Sequence, residues 1–288
     1  MNEQSIHCES TDAVGGKPYD LLVVAVKAFD VQVALSHVRA RVSGSSTVIL
    51  LCNGALAVAD RLPAHGGPLL VATTTHGAWS RGPRDVHHAG KGDTWIGACG
   101  PQLVNELSVE SPDSGLTFFA RHGLGAHAES PPATVRRLWL KLAANAVLNP
   151  LTALWDCPNG EVLSRAEGRE TAWAVCEEIA GVANGLVANK QQPASAPTFT
   201  TDELVDFVHE CAAANALNFS SMCMDVRHGR RTEIEELNGW IARKGHELGL
   251  ASASAIRDGG SMSSWVGINE RLAASIRARH PGGSQVPG

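Results

Sequence analysis

The sequence predicts an α/β domain over about residues 1–130 followed by an all-α domain over about residues 131–288. Three observations predict it. In the first part, short apolar, β-branched runs alternate with segments of helical periodicity, as parallel strands joined by right-handed crossovers do. From Ser130 onward the strand signal stops, and apolar residues recur at three- and four-residue intervals over long stretches. The composition, 44% hydrophobic and 18% charged over 288 residues, is that of ordinary globular domains and sets aside disordered and coiled-coil readings.

The elements follow in order. Tyr19 to Val26 is a continuous apolar run, the pattern of a strand buried on both faces. Lys27 to Arg41 places Phe29, Val33, Leu35 and Val38 at helical spacing. Ser46 to Cys52 is a second buried strand, ending in Asn53-Gly54, with a short helix around Ala55 to Leu62. Leu69 to Thr75 is a third strand. Within Asp85 to Gly97, two strand-like pieces flank Gly90-Lys91-Gly92-Asp93, so a hairpin turning there is predicted. Helices are predicted over Thr134–Asn149, Glu170–Asn189, Asp202–Asp225 and Thr232–Leu248, with Thr201-Asp202-Glu203 as a helix start. The Gly/Pro-rich tail HPGGSQVPG is expected to be disordered.

The net charge of −5 gives no reason to expect a polyanionic partner, so neither nucleic acid nor an anionic membrane surface is predicted. No apolar stretch approaches the ~20 residues of a membrane-spanning helix. The polar N-terminal segment lacks the basic-then-apolar pattern of a secretory signal, so a cytoplasmic location is expected. Seven cysteines (Cys8, Cys52, Cys99, Cys157, Cys176, Cys211 and Cys223) form no CxxC pair and read as small hydrophobes, with no metal-ligand spacing. Met222 and Met224 read as core. The sequence leaves the oligomeric state open.

The clearest chemical signal is Lys141, Asn145 and Asn149 in LKLAANAVLNP. Residues four apart drift only about 40° around a helix, so an ammonium and two amides form one narrow stripe. Such a stripe suits a small, oxygen-rich molecule, and a desolvated lysine in it can serve as a general acid. The plain alternative is a solvated helix face. A second signal is Ser220-Ser221 with Arg230 to Glu235. Thr232 and Glu235 fit a capping box of the following helix, which leaves Glu233 without a structural role. A third is Lys27 and Asn53, each just past a buried strand, where open α/β sheets bind ligands; Asn53-Gly54 also fits a common turn. A ligand in the cleft between the two domains is the natural expectation.

Taken together, the segments VVAVKAFD, LLCNG, TTTHGA, KLAANAVLNPLTALWDCPNG and SSMCMDVRHGRRTEIEELNG resemble the ketopantoate reductase (2-dehydropantoate 2-reductase) family, in family order across roughly residues 19–250. The resemblance implies a Rossmann-like, dinucleotide-binding first domain and a helical substrate-binding and catalytic second domain. It implies NADPH as cofactor and reduction of 2-dehydropantoate, a small 2-oxo acid, to (R)-pantoate in pantothenate and coenzyme A biosynthesis. Lys141 matches the family's proton donor, and Asn145, Asn149 and Asn159 its substrate-binding asparagines. Asn218 to Ser221 matches the segment that receives the substrate, so Asn218, Ser220 and Ser221 are expected there. Lys27, Asn53, Ala78 and Glu233 match positions that contact the cofactor, and Glu233 also lies near the reacting centre.

The sequence departs from the family at both ends. Ahead of Tyr19 it holds only Gly15-Gly16 where family members carry a strand–GxGxxG–helix unit. The parallel Rossmann-like sheet is therefore expected to be incomplete, with apolar strand edges exposed. After Leu250, ASASAIRDGGSMSSWVGINERL stands in place of a Pro-Asn turn. Two functions follow: the reductase, or a cofactor-free, non-catalytic binding or interaction protein derived from the family. The lysine–asparagine stripe with Glu233 favours the first, and the missing glycine loop the second.

Overall fold

The computed structural model describes residues 16–63, 66–82, 85–98, 125–192, 195–250 and 267–279. These fall into two compact units: residues 16–52, 61–98 and 125–129 form one, and residues 53–60, 130–250 and 267–279 the other. The expected disordered tail, Cys8, Cys99 and most of the segment after Leu250 lie outside the described residues.

In the first unit, β1 (Leu21–Val24), β2 (Thr47–Leu50) and β3 (Leu69–Thr74) pair in parallel, as their β-branched runs predict. The stretch expected as one helix after β1 is a short α1 (Val31–His37) between 3-10 turns at Ala28–Asp30 and Arg39–Arg41. The predicted hairpin is in a different place. β4 (Gly77–Gly82) and β5 (Asp85–Gly90) pair antiparallel as a separate ribbon, so the hairpin lies ahead of Gly90–Asp93 and does not turn there. The Gly90–Asp93 stretch instead carries the chain from the ribbon to β6 (Thr94–Ala98), which pairs antiparallel with β3. β7 (Ala126–Ala128) follows parallel to β6, giving the order β1-β2-β3-β6-β7.

The sheet is therefore mixed, which corrects the wholly parallel expectation. Burial supplies the reason. Thr94, Ile96, Gly97 and Ala98 are buried, whereas β5 is exposed along nearly its whole length. Pairing β6 with β3 puts Ile96 and Ala98 into one apolar layer with Ile49, Leu70 and Ala72, a gain a local turn at Gly90 would forgo. At the other edge, β1 pairs only with β2 among the described residues, and Leu21, Leu22 and Val23 are half-buried.

The second unit is built around α3 (Pro131–Trp155), which begins on two prolines, good first-turn residues. Fifteen of its residues are buried, so it is apolar nearly all round, as a central helix must be. Around it stand α4 (Asn159–Val162), α5 (Ala166–Ala188), α6 (Thr201–Ala214), α7 (Ser221–Arg227), α8 (Asn238–Glu247) and α9 (Ile268–Arg279). Residues Asn53–Asp60, with most of α2 (Ala55–Arg61), join this unit: Asp60 accepts from Trp240 Nε1 at 3.2 Å and pairs with Lys244 at 2.8 Å.

Three helix expectations are corrected. α3 does not stop at Asn149 but continues through Pro150 to Trp155. The single helix expected over Asp202–Asp225 breaks into α6 and α7, because Asn215 turns back to the Cys211 carbonyl and Ser220 starts a new helix by accepting from Cys223 N–H at 3.0 Å. Thr232 does not cap a helix; α8 starts six residues later at Asn238, and the Glu235 carboxylate accepts from Arg243 and Arg277 instead.

A buried carboxylate holds the last helix in place. Glu178 on α5, 8% exposed, accepts from the N–H groups of Ile268 and Asn269 and from Asn269 Nδ2, at 2.7, 3.1 and 2.9 Å. These are first-turn donors that would otherwise lack partners. Glu178→Ala is expected to cost about 3 kcal/mol, since hydrogen bonds to a charged group contribute about 1.5–3 kcal/mol each and are not additive. Thermal unfolding followed by circular dichroism should show the loss at roughly 2–4 °C per kcal/mol. An unchanged midpoint would refute the capping role.

Among the described cysteines, Cys157, Cys176 and Cys223 are buried, Cys52 and Cys211 half-buried, and all five are free thiols. Burial pushes the Cys176 thiol up to about 12. Iodoacetamide at pH 8 should therefore leave Cys176 unmodified in the native protein, as read by site-resolved mass spectrometry. Labelling of Cys176 at the rate of a free thiol would contradict its burial.

Candidate active site

Lys141, Asn145 and Asn149 share one face of α3, two turns of helix from end to end. Lys141 and Asn145 are half-buried and Asn149 is 7% exposed. Leu142, Ala143, Ala144, Ala146, Val147 and Leu148 around them are buried, so the stripe is a polar seam in apolar surroundings and not a solvated face. Lys141 stands within electrostatic reach of Cys211 on α6: burial and Glu210 push that thiol up, and the Lys141 ammonium pulls it down. The amide of Asn149 meets no hydrogen-bond partner among the described residues and keeps a narrow opening to solvent, so it is available to a ligand.

The far end of the seam is tied to α7 by a residue not singled out from sequence. Thr152, fully buried, lies 2.6 Å from Ser220 Oγ. Thr152 Oγ1 spends its proton on the Leu148 carbonyl at 2.7 Å, and Ser220 Oγ accepts from Cys223 N–H, so Ser220 donates to Thr152. The Ser220 hydroxyl is thus occupied in holding the start of α7. Ser221, the first residue of that helix, is exposed. At the end of α3, Asp156 is left-handed, with φ of 52°, and pairs with Arg227 at 2.7 Å. That pair holds the Asp156 carboxyl below its ordinary range.

Asn218 is exposed, and its loop is fixed from α4. Asn159 N–H donates to the Asn218 carbonyl at 2.9 Å, and Asn159 Nδ2 donates to the Asn215 carbonyl at 3.2 Å. Gly160 permits this approach: a Cβ there would lie 2.8 Å from the Ala216 Cβ. Asn159 Oδ1 is buried with no partner among the described residues.

Glu233 is 5% exposed and accepts from Asn53 Nδ2 at 3.2 Å, so two residues 180 apart in sequence meet in the second unit. The expected cofactor-contacting residues are thereby divided between the units. Lys27, half-buried, follows β1, and Ala78 is exposed on β4, both in the first unit. β1 and β2 are parallel and in register, so Lys27 stands at the edge of the sheet where both strands end. A cavity of about 330 Å³ in the first unit lies instead toward the strand starts, against Gln32, Leu35, Arg39, Val48 and Leu69, and holds none of the predicted site residues. Among the described residues no group of three or more His, Cys, Asp or Glu is arranged to hold a metal ion. None of the described helices is long and apolar enough to cross a membrane.

The fold and the seam leave the chemistry open, and comparison with known proteins gives the family. Residues 3–101 match the model of ketopantoate reductase PanE/ApbA, and residues 134–254 that of its C-terminal part. The 2-dehydropantoate 2-reductase of Shigella flexneri is 34% identical over 238 residues, covering 81% of this chain and 69% of the relative. That of Vibrio cholerae is 33% identical over 236 residues, covering 81% and 73%. Among solved structures, a PanE/ApbA family ketopantoate reductase from Ralstonia eutropha superposes with a TM-score of 0.71 at 24% identity, covering 93% of this chain and 78% of that one. A D-mandelate dehydrogenase in complex with NADH and anilino(oxo)acetate superposes with a TM-score of 0.74 at 19% identity, covering 96% and 80%. The two structural likenesses show the fold. The chain belongs to the ketopantoate reductase family, a family of oxidoreductases.

Proposed function

We propose that the protein reduces 2-dehydropantoate to (R)-pantoate with NADPH. The observation that carries this reading is the half-buried Lys141 on one seam with Asn149, whose nearly buried amide has no partner among the described residues. An apolar-walled seam ending in an ammonium and amides has the donors a 2-oxo acid needs for its carboxylate and ketone oxygens. Asn145, Asn149, Asn159, Asn218 and Ser221 hold and orient the substrate. Ser220 acts from behind, through Thr152, by fixing the start of α7.

A bound nicotinamide cofactor supplies the hydride. Among the described residues, those that fit such a group lie toward its reacting end. Asn53 and Glu233 form a part-buried amide–carboxylate pair that can meet a carboxamide ring, and Lys27 and Ala78 match cofactor positions in the first unit. No strand–GxGxxG–helix segment is present in the sequence. As the ketone oxygen gains negative charge, Lys141 stabilises it and delivers the proton. Burial of the seam's flanks keeps bulk water from competing for that oxygen.

The test is direct. The purified chain, given NADPH and 2-dehydropantoate, should lose absorbance at 340 nm and form pantoate. Absence of turnover at saturating concentrations of both would overturn the reading.

A further inference from the structure

We propose that Asn238 is a positioning residue that ties the lysine–asparagine seam of α3 to the Glu233 turn. The origin lies in Pro150. A proline has no N–H, so the Ala146 carbonyl, which the residue at position 150 would bond in a regular helix, is left without its helical donor. That carbonyl sits in the turn between Asn145 and Asn149. A gap of this kind normally ends or kinks a helix. Here Asn238 Nδ2 donates to the Ala146 carbonyl at 2.9 Å, and α3 runs on for five more residues to Trp155.

The polarity of this bond is fixed from a distance. The Glu178 carboxylate can only accept, so Asn269 presents its Nδ2 to it. Asn269 Oδ1 then faces Asn238 and accepts from its Nδ2 at 2.9 Å. Asn238 therefore directs both its N–H groups outward, one to Asn269 and one to Ala146. Reversing the amide would set oxygen against two acceptors. Asn238 and Asn269 are both fully buried, so water cannot replace the contacts.

The position of Asn238 in the chain gives the tie its consequence. It is the first residue of α8 and lies five residues after Glu233, at the end of the turn that carries it. One amide thus joins the turn holding Glu233 to the turn of α3 between two seam asparagines. On the reductase reading, which the kinetic part of this inference rests on, the tie sets how substrate-holding groups on α3 face the carboxylate near the reacting centre.

The experiment compares four full-length proteins: the parent, Asn238→Ala, Pro150→Ala, and the double variant. Pro150→Ala restores an N–H for the Ala146 carbonyl, so it separates satisfying that carbonyl from tying two elements together. Hydrogen–deuterium exchange is read in peptides covering residues 142–152 and 232–237, with kcat/KM for the 2-oxo acid and KM for NADPH measured well below every unfolding midpoint. Asn238→Ala should speed exchange in both peptides by at least about tenfold, and should do so in the Pro150→Ala background as well. It should lower kcat/KM for the oxo acid by about 10–100-fold in both backgrounds, and raise the KM for NADPH as well, because the loosened turn carries Glu233. Faster exchange in one peptide only, or an effect of Asn238→Ala that vanishes beside Pro150→Ala, would overturn the proposal and leave Asn238 a mere filler of a vacant carbonyl. If the parent shows no turnover, the reductase reading fails, and the exchange data alone decide the tie.

Discussion

Lys141→Ala is expected to lower kcat for 2-dehydropantoate reduction by about 10²–10⁴-fold, the usual contribution of a positioned general acid. The KM for NADPH should change less than kcat, because on this reading the lysine acts on the ketone oxygen of the substrate. The fold should persist, since Lys141 is half-buried and its neighbours Leu142, Ala143 and Ala144 supply the packing. Steady-state kinetics with a thermal melt check all three points. A kcat within threefold of the parent would remove Lys141 from the chemistry.

Gly54→Ala should be nearly as damaging for a different reason. Gly54 has φ of 63°, where a side chain is strained, and a Cβ would lie 2.8 Å from the Glu236 Cβ and 2.9 Å from its carbonyl oxygen. Neither neighbour is a flexible tip, so the Glu233–Glu236 turn must retreat from Asn53. Backbone strain costs on the order of 1–3 kcal/mol before the clash is counted. The Asn53–Glu233 bond should be lost with it. The expected result is a lower unfolding midpoint and a KM for NADPH raised at least tenfold, worth about 1.4 kcal/mol of cofactor binding. A variant with the parent's midpoint and KM would show that this close approach does not matter.

Sequence patterning displayed much of this architecture, and the failures have physical causes. The runs at Thr47 and Leu69 are legible because strands buried on both faces have little alternative to a continuous apolar sequence, and the run at Leu21 reads the same way although its strand is half-buried. The Lys141–Asn145–Asn149 seam was legible because a four-residue period fixes a shared face whatever packs on it. The hairpin was misplaced because a glycine-rich turn signal is local, whereas the pairing of β6 with β3 is a long-range gain in burial. The end of α3 was set too early at Pro150 because the donor that rescues the Ala146 carbonyl lies 92 residues away. For the same reason the sequence carries no signal at Thr152 and Asn238: each acts on a partner that only the tertiary structure supplies. Glu233 stands out in the sequence only because Thr232 and Glu235 resemble a cap; that cap does not form, and Glu233 is instead buried against Asn53. Its partner Asn53 is marked in the sequence by its position past a strand end.

The measurement that bears most directly on the account is a crystal structure of the protein soaked with pantoate, the product of the proposed reaction. The seam predicts a pantoate oxygen within hydrogen-bonding distance, about 2.7–3.2 Å, of Lys141 Nζ, and a second on the amide of Asn149. Pantoate bound elsewhere, with Lys141 and Asn149 facing only water at saturating ligand, would contradict it.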